Sequence, residues 1–287
     1  MYGRFGRRKV LGCATKVKHP RAQLAGLARQ LGAIFIHQDA VNAFTMLELF
    51  KLNHLHVFPS IEFALDEPNG LLAFGGDLSA QRLILAYKSG IFPWYSEQEP
   101  ILWWSPQPRA IIDARQFRAN KSLRKSIRKY GYYAKMNSAF EQVIKHCADV
   151  PRVKPEYDPL NDNTSTWISA DMIDAYVNLH HLGYAHSIEV YDKHDCLVGG
   201  LYGVVVSGIF CGESMFHLQN DASKVAFLAL SRHLVKHGLW VIDCQLVNPH
   251  LENLGCYGID RQAFSRILSE HAMGVDCWQA QNLVLSE

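Results

Sequence analysis

Asp243 and Gln245 stand two residues apart in Gly238-Leu-Trp-Val-Ile-Asp-Cys-Gln-Leu-Val247, a run that is otherwise almost wholly apolar. Side chains of a strand alternate between faces, so the two are expected on one side together with Val241. The surrounding apolar residues give the pattern of a central strand covered on both faces. A carboxylate there is costly unless it is paired, hydrogen-bonded or turned to a cleft. Two readings follow: a structural Asp satisfied by backbone or an Arg, or an acid–amide pair lining an active site. A second acid, Glu213, lies in Phe210-Cys-Gly-Glu-Ser-Met-Phe216. It is read as ending the strand 209–213 on the same face as Cys211, just before a helix start at Asp221–Lys224. A capping or core-edge role is its plain alternative. Other motifs carry less. Gly199-Gly-Leu-Tyr-Gly203 falls inside a strand-rich stretch, which makes a poor dinucleotide loop. No G-x-x-x-x-G-K-[ST] or H-E-x-x-H occurs, and Cys244 points away from Asp243, which argues against a nucleophile there.

These residues need elements to hold them. Helices are expected at 80–88 (stopped by Gly90), 120–130, 138–148, 169–182, 224–236, 249–254 and 261–271. Strands are expected at 109–114, 132–136, 185–191, 197–206, 209–213 and around Asp243. This order predicts an α/β (α+β) fold with a mixed sheet and a cleft where strands diverge. Ile91-Phe-Pro-Trp-Tyr95 and Ile101-Leu-Trp-Trp-Ser-Pro106 read as irregular structure, forming either a small aromatic core or a stacking surface. Residues 150–164 read as a surface loop. In the helix at 120–130, Leu123 and Ile127 face inward. Lys121, Arg124, Lys125, Arg128 and Lys129 cover the outside with no acid between them, which suits contact with phosphates.

Composition bounds the function. Residues 1–45 hold eight Lys or Arg against one acid, Asp39, leaving 21 basic and 26 acidic residues in the remainder. Any nucleic-acid contact must therefore come from a local patch. The basic first 45 residues, with a weak helical pattern at 23–31, are expected to hold little fixed structure, and a better organised segment begins at Met46. Seven cysteines without a C-x-x-C pair argue against a disulfide framework or a zinc site and for a reducing cytoplasm. No apolar run reaches the ~18–20 residues of a membrane span.

Several ordered motifs carry a resemblance: Glu67-Pro-Asn-Gly-Leu-Leu-Ala73, Gly75-Gly-Asp-Leu-Ser79, Gly90-Ile-Phe-Pro-Trp94, Ile101-Leu-Trp-Trp-Ser-Pro106, Thr166-Trp-Ile168, Phe210-Cys-Gly-Glu-Ser-Met-Phe216 and Ile242-Asp-Cys-Gln245. From about Met46 to about residue 270 the chain resembles the bacterial leucyl/phenylalanyl-tRNA–protein transferases. The resemblance implies transfer of Leu or Phe, and Met less well, from aminoacyl-tRNA to the α-amine of proteins beginning with Arg or Lys, marking them for N-degron proteolysis. It implies a small N-terminal domain at 46–108 and a catalytic domain at 109–287 like the GCN5-related acetyltransferases, and the basic extension at 1–45 falls outside the family pattern. No metal, cofactor or membrane is implied. Asp243, Gln245 and Glu213 match the family's catalytic residues. Which of the Asp–Gln pair handles the proton stays open, and Glu213 could pair the acceptor's cationic side chain. Trp94 and Trp167 match the site of the terminal adenosine, with Tyr87 and Tyr176 nearby. Leu201, Phe210, Met215 and Ile242 match the pocket for the transferred side chain, and the basic helix matches the tRNA contact. The competing readings are an acyl-CoA-dependent N-acetyltransferase and a non-catalytic aminoacyl-tRNA or N-degron binding module. The first would need a Gly-rich pyrophosphate loop that Leu218–Lys224 does not supply.

Overall fold

The Trp- and Pro-bearing stretch near the start contains two short strands, Phe92–Pro93 and Leu102–Trp104, where an irregular course was expected, and is irregular around them. The computed structural model describes residues 33–36, 47–96, 99–149, 167–270 and 276–285. A first sheet is built from β1 (Ala33–Ile36), β2 (Leu47–Leu52), β3 (Leu71–Gly75), β4 (Phe92–Pro93) and β5 (Leu102–Trp104), in the order β1-β2-β3-β5-β4. Helix α1 (Ala80–Lys88) joins β3 to β4 at the expected boundaries, with Gly90 beyond it at φ 73°. Strands of two and three residues are too short for alternation to show. Pro93 is tolerated because β4 lies at the sheet edge, where a missing N–H removes no ladder bond. The indole N–H of Trp103 donates to Gly75 O at 2.9 Å, and that of Trp104 to Trp94 O at 2.6 Å. Both rings are buried, so most of the Trp cluster is core, and Trp94 alone of the three keeps an open face. The expected helix at 23–31 and loop at 150–164 lie outside the described residues.

The remaining elements are β6 (Arg109–Asp113), α2 (Lys121–Tyr130), β7 (Tyr133–Met136), α3 (Phe140–Asp149), α4 (Ala170–His181), β8 (Ala185–Tyr191), β9 (Leu197–Val206), β10 (Ile209–His217), α5 (Ala222–Lys236), β11 (Val241–Gln245), α6 (Pro249–Glu252), β12 (Tyr257–Ile259), α7 (Arg261–Glu270) and β13 (Gln281–Leu283). Eight of these strands form a mixed sheet in the order β12-β6-β11-β10-β9-β8-β7-β13. Every neighbouring pair is antiparallel except β10 and β11, which run parallel with α5 as the crossover. Cap residues set the helix starts: Asn120 accepts from the Leu123 N–H at 2.8 Å, and Ser169 from the Met172 N–H at 3.3 Å.

Residues of the central strands sort by alternation into two cores. Ile111, Tyr202, Val204, Cys211 and Val241 join the first, with α1, α3, α4 and the small sheet. Ala110, Ile112, Leu201, Phe210 and Ile242 join the second, with α2 and α5. A Cβ on Gly203 would stand 2.3 Å from Cys211 O and 2.6 Å from the Phe210 ring, so this position needs a bare Cα. No helix among the described residues is long and apolar enough to cross a membrane.

Two boundaries differ from expectation. β10 does not end at Glu213 but continues to His217. β11 stops at Gln245, leaving Leu246 and Val247 exposed rather than buried in a longer strand. β10 keeps pairing with β9 as far as His217 opposite Gly199, whereas the pairing of β11 with β6 ends at Gln245 opposite Ala110.

Candidate active site

β10 and β11 stay in register for two pairs only, Phe210 with Ile242 and Cys211 with Asp243. Immediately beyond, both strands bulge. Against β9, β10 shifts between Gly212 and Ser214, leaving Glu213 as the extra residue. Against β6, β11 shifts between Asp243 and Gln245, and Gln245 adopts φ 58°. An extra residue bends its strand and ends regular pairing. Two adjacent parallel strands therefore part at their carboxyl ends, where open α/β sheets place their ligands. Glu213 and Cys244 are the residues left without a register partner, and Gln245 ends β11 opposite Ala110.

The bulge corrects the expectation that Asp243 and Gln245 share a face. Asp243 stands opposite Ile111, a residue of the first core, whereas Gln245 stands opposite Ala110, a residue of the second. Strict alternation does not reach Gln245. Its side-chain Nε2 is buried and has no hydrogen-bond partner among the described residues. Such an amide group is a donor in search of an acceptor.

Asp243 is fully buried and fully occupied. Arg109 Nε donates to Oδ1 at 2.8 Å and Nη2 to Oδ2 at 2.7 Å, a bidentate pair, and the Gln245 N–H donates to Oδ1 at 3.1 Å. Arg109 is itself buried, donates to Gly90 O at 3.0 Å, and lies over the rings of Phe92 and Phe264 at 5.0 and 4.7 Å. Sequence reasoning left Asp243's partner unnamed. The signal was indirect: a buried carboxylate requires a cation, and Arg109 opens an apolar strand.

Glu213 is held differently. Tyr87 from α1 donates to Oε1 at 2.8 Å and Tyr176 from α4 to Oε2 at 3.2 Å, while the two phenol oxygens also bond to one another. Both tyrosines are buried, but Glu213 keeps part of its surface open to solvent. Burial pushes its carboxyl up to about 7. The tyrosine hydroxyls and Arg109 pull against that shift and Asp243 adds to it. Burial, followed by the nearby Glu213 charge, raises both phenols well above their ordinary value, so they stay protonated donors. A carboxylate poised near neutrality in a partly open split can accept a proton and return it.

The other expected site residues fall in three groups. Leu201, Phe210, Met215 and Ile242 form two cross-strand pairs, Phe210 with Ile242 and Met215 with Leu201, bracketing the Glu213 bulge. All four belong to the second core, with Met215 only partly buried. The extra residue is what returns Met215 to Phe210's face. Trp94 and Trp167 sit partly buried at the margin of the first core, the core that contains Tyr87 and Tyr176. Lys121, Arg124, Lys125, Arg128 and Lys129 are all exposed on α2. Lys125 and Lys129 also line a cavity of about 620 Å³, together with Lys224, His217 and His250. His217 is the last residue of β10 and His250 follows β11, so the cavity borders the carboxyl ends of the two splitting strands. Lys224, His217 and His250 were not anticipated, because only the tertiary fold adds them to the α2 patch.

Comparison with known proteins bears on the family of the chain. A family model described as leucyl/phenylalanyl-tRNA protein transferase matches residues 111–269, and one for that family's N-terminal domain matches residues 76–107. A protein of Photobacterium profundum is 50% identical over 219 residues, 76% of this chain and 88% of its own. One of Colwellia psychrerythraea is 50% identical over 236 residues, 79% and 94% of the two chains. One of Pseudoalteromonas atlantica is 49% identical over 241 residues, 83% and 99% of the two. All three carry the name leucyl/phenylalanyl-tRNA–protein transferase. A solved structure, that of L-PGS from Bacillus licheniformis, covers 64% of this chain and 56% of its own at 13% identity with a TM-score of 0.34, too distant to bear on the fold.

Proposed function

The chain belongs to the leucyl/phenylalanyl-tRNA protein transferase family, and from that premise we propose that it transfers Leu or Phe, and Met less readily, from aminoacyl-tRNA to the α-amine of proteins beginning with Arg or Lys, marking them for N-degron proteolysis. The observation that carries the chemistry is Glu213, a carboxyl poised near 7 between two phenol donors at the strand split. An aminoacyl ester is already activated, so the reaction asks mainly for a neutral amine held against the carbonyl carbon. A protein α-amine titrates at about 7.7–8, close to Glu213. The amine nitrogen forms the new C–N bond, and its proton passes to Glu213. The bond from the carbonyl carbon to the terminal ribose oxygen then breaks, and Glu213 gives the proton to that oxygen. An ionised Glu213 also favours an acceptor with a cationic first residue.

Asp243 acts in this scheme by position. Its pair with Arg109 and its bond from the Gln245 N–H hold the bulge that offers the Gln245 amide to the reacting groups. The two apolar pairs around Glu213 receive the transferred side chain. Such a pocket discriminates among apolar groups only modestly, which fits a breadth spanning Leu, Phe and Met. Trp94 and Trp167 provide platforms for the terminal adenosine. The parallel split of β10 and β11 supports a fold like that of the GCN5-related acetyltransferases for residues 109–287. A division near residue 108 is supported by the two family matches, which end at 107 and begin at 111.

The test is transfer of labelled Leu from Leu-tRNA to peptides beginning with Arg or Lys, with acetylated peptides as controls. Absence of transfer to the free peptides would overturn the proposal. For the nucleic-acid partner, α2 and the cavity beside it supply exposed cations with no described acid paired to Lys125 or Arg128. Reversing Lys125 and Arg128 to Glu is expected to weaken tRNA binding at all sequences. The slope of log affinity against log salt should also fall, by about one for each phosphate no longer engaged. Filter binding at several salt concentrations reads both, and an unchanged slope would remove the helix from the interface.

A further inference from the structure

Helix α5 and the segment before β13 bring together three side chains that the transfer reaction does not use. His233 and His237 are one helical turn apart, with ring centroids separated by 4.7 Å. Cys277 reaches them from a segment forty residues further along the chain and is buried. A ring nitrogen from each histidine and the Cys277 Sγ all lie within 4.8 Å of one another. His233 is only 4% exposed, yet its Nε2 has no hydrogen-bond partner among the described residues. Buried polar atoms are normally satisfied, so this one calls for a partner. Cys277 is also held in place. The neighbouring Trp278 ring stacks 4.9 Å from His186 and lies 5.3 Å from His233, and its carbonyl accepts from Asn137 Nδ2 at 2.6 Å.

We propose that His233, His237 and Cys277 bind one divalent cation of the zinc type. Two imidazoles and a thiolate select a borderline-soft ion over magnesium or calcium, which prefer oxygen donors. Tetrahedral zinc spaces such donors about 3.5 Å apart, so the present cluster has to close by about an ångström. His237 is half-exposed at the helix end and free to make that adjustment. Water completes the coordination, and the thiol proton leaves to solvent as the thiolate binds. The bound ion clips the segment carrying β13 to the end of α5, just before Gly238 leads into β11. Cysteine spacing gave no hint of this site because its third donor is remote in sequence.

The full-length chain, stripped of metal and kept reduced with a phosphine, is titrated with Co2+ and then Zn2+. One equivalent of Co2+ is expected to produce a near-ultraviolet thiolate-to-cobalt band that Zn2+ abolishes, and Zn2+ is expected to raise the melting temperature. Cys277→Ser should lose the band, and His237→Ala, at a half-exposed position, should weaken binding by more than about tenfold. His146→Ala serves as the unaffected control. No band from the wild-type chain, or a band that persists in Cys277→Ser, would overturn the site. So would a Zn2+-induced stabilisation unchanged in both variants.

Discussion

Replacing Glu213 with Gln will lower transfer of Leu to an Arg-initiated peptide by about two to four orders of magnitude, the usual worth of a positioned general base. The substitution keeps the shape of the side chain. A Gln oxygen still accepts from one tyrosine, and its amide can donate to the other, so the Tyr87–Tyr176 pair retains its partner. Only the capacity to take a proton is removed. The pH dependence gives a sharper signature than the rate. In the wild type, kcat/KM should rise with pH through two groups, Glu213 at about 7 and the acceptor amine at about 7.7–8. In Glu213→Gln the first limb disappears and the second stays. Stability should move in the opposite direction. The folded state raises this carboxyl above its ordinary value of 4.5, so between 4.5 and about 7 it binds more proton than the unfolded chain does. Wild-type stability therefore falls as pH rises across that window, and this component is absent from the Gln variant. A Gln variant within threefold of wild type, with both limbs intact, would remove Glu213 from the proton path.

How much of this was legible before the fold was known depended on the length scale of each signal. Strands 185–191 and 197–206 and helix 80–88 were legible to the residue, because each is long enough for its apolar pattern to repeat between clear turn residues. Strands 92–93 and 102–104 were not, since two or three residues cannot display a period of two. The two bulges were hidden for a different reason. Alternation places Asp243 and Gln245 on one face, and only pairing to β6 shows the register shift that separates them. The identities of the pocket and tRNA-contact residues came from family resemblance, whereas α2's exposed cations came from helical spacing alone. Arg109 was beyond reach of any local rule, because its partner lies 134 residues away.

That remote pair yields the second large effect. Arg109→Leu is expected to destabilise the chain by about 3–5 kcal/mol, because it strands a buried carboxylate. The corresponding fall in melting temperature is on the order of 10 °C. Adding Asp243→Leu should restore most of this loss, since two apolar side chains can fill the site without a charge to satisfy. Full recovery is not expected, because the Gln245 N–H loses its acceptor at Oδ1. Activity should not follow stability back. If Asp243 and Arg109 work by holding the bulge, the restored double variant remains slow, chiefly in kcat, because Gln245 is no longer presented. Asp243→Asn with Arg109 retained separates position from proton transfer. It should lower kcat while leaving the limb at about 7 in place, because that limb belongs to Glu213. Were Asp243 itself the base, the Asn variant would lose the limb and Glu213→Gln would keep it. The two pH profiles, measured side by side on folded variants, assign the proton to one carboxylate or the other.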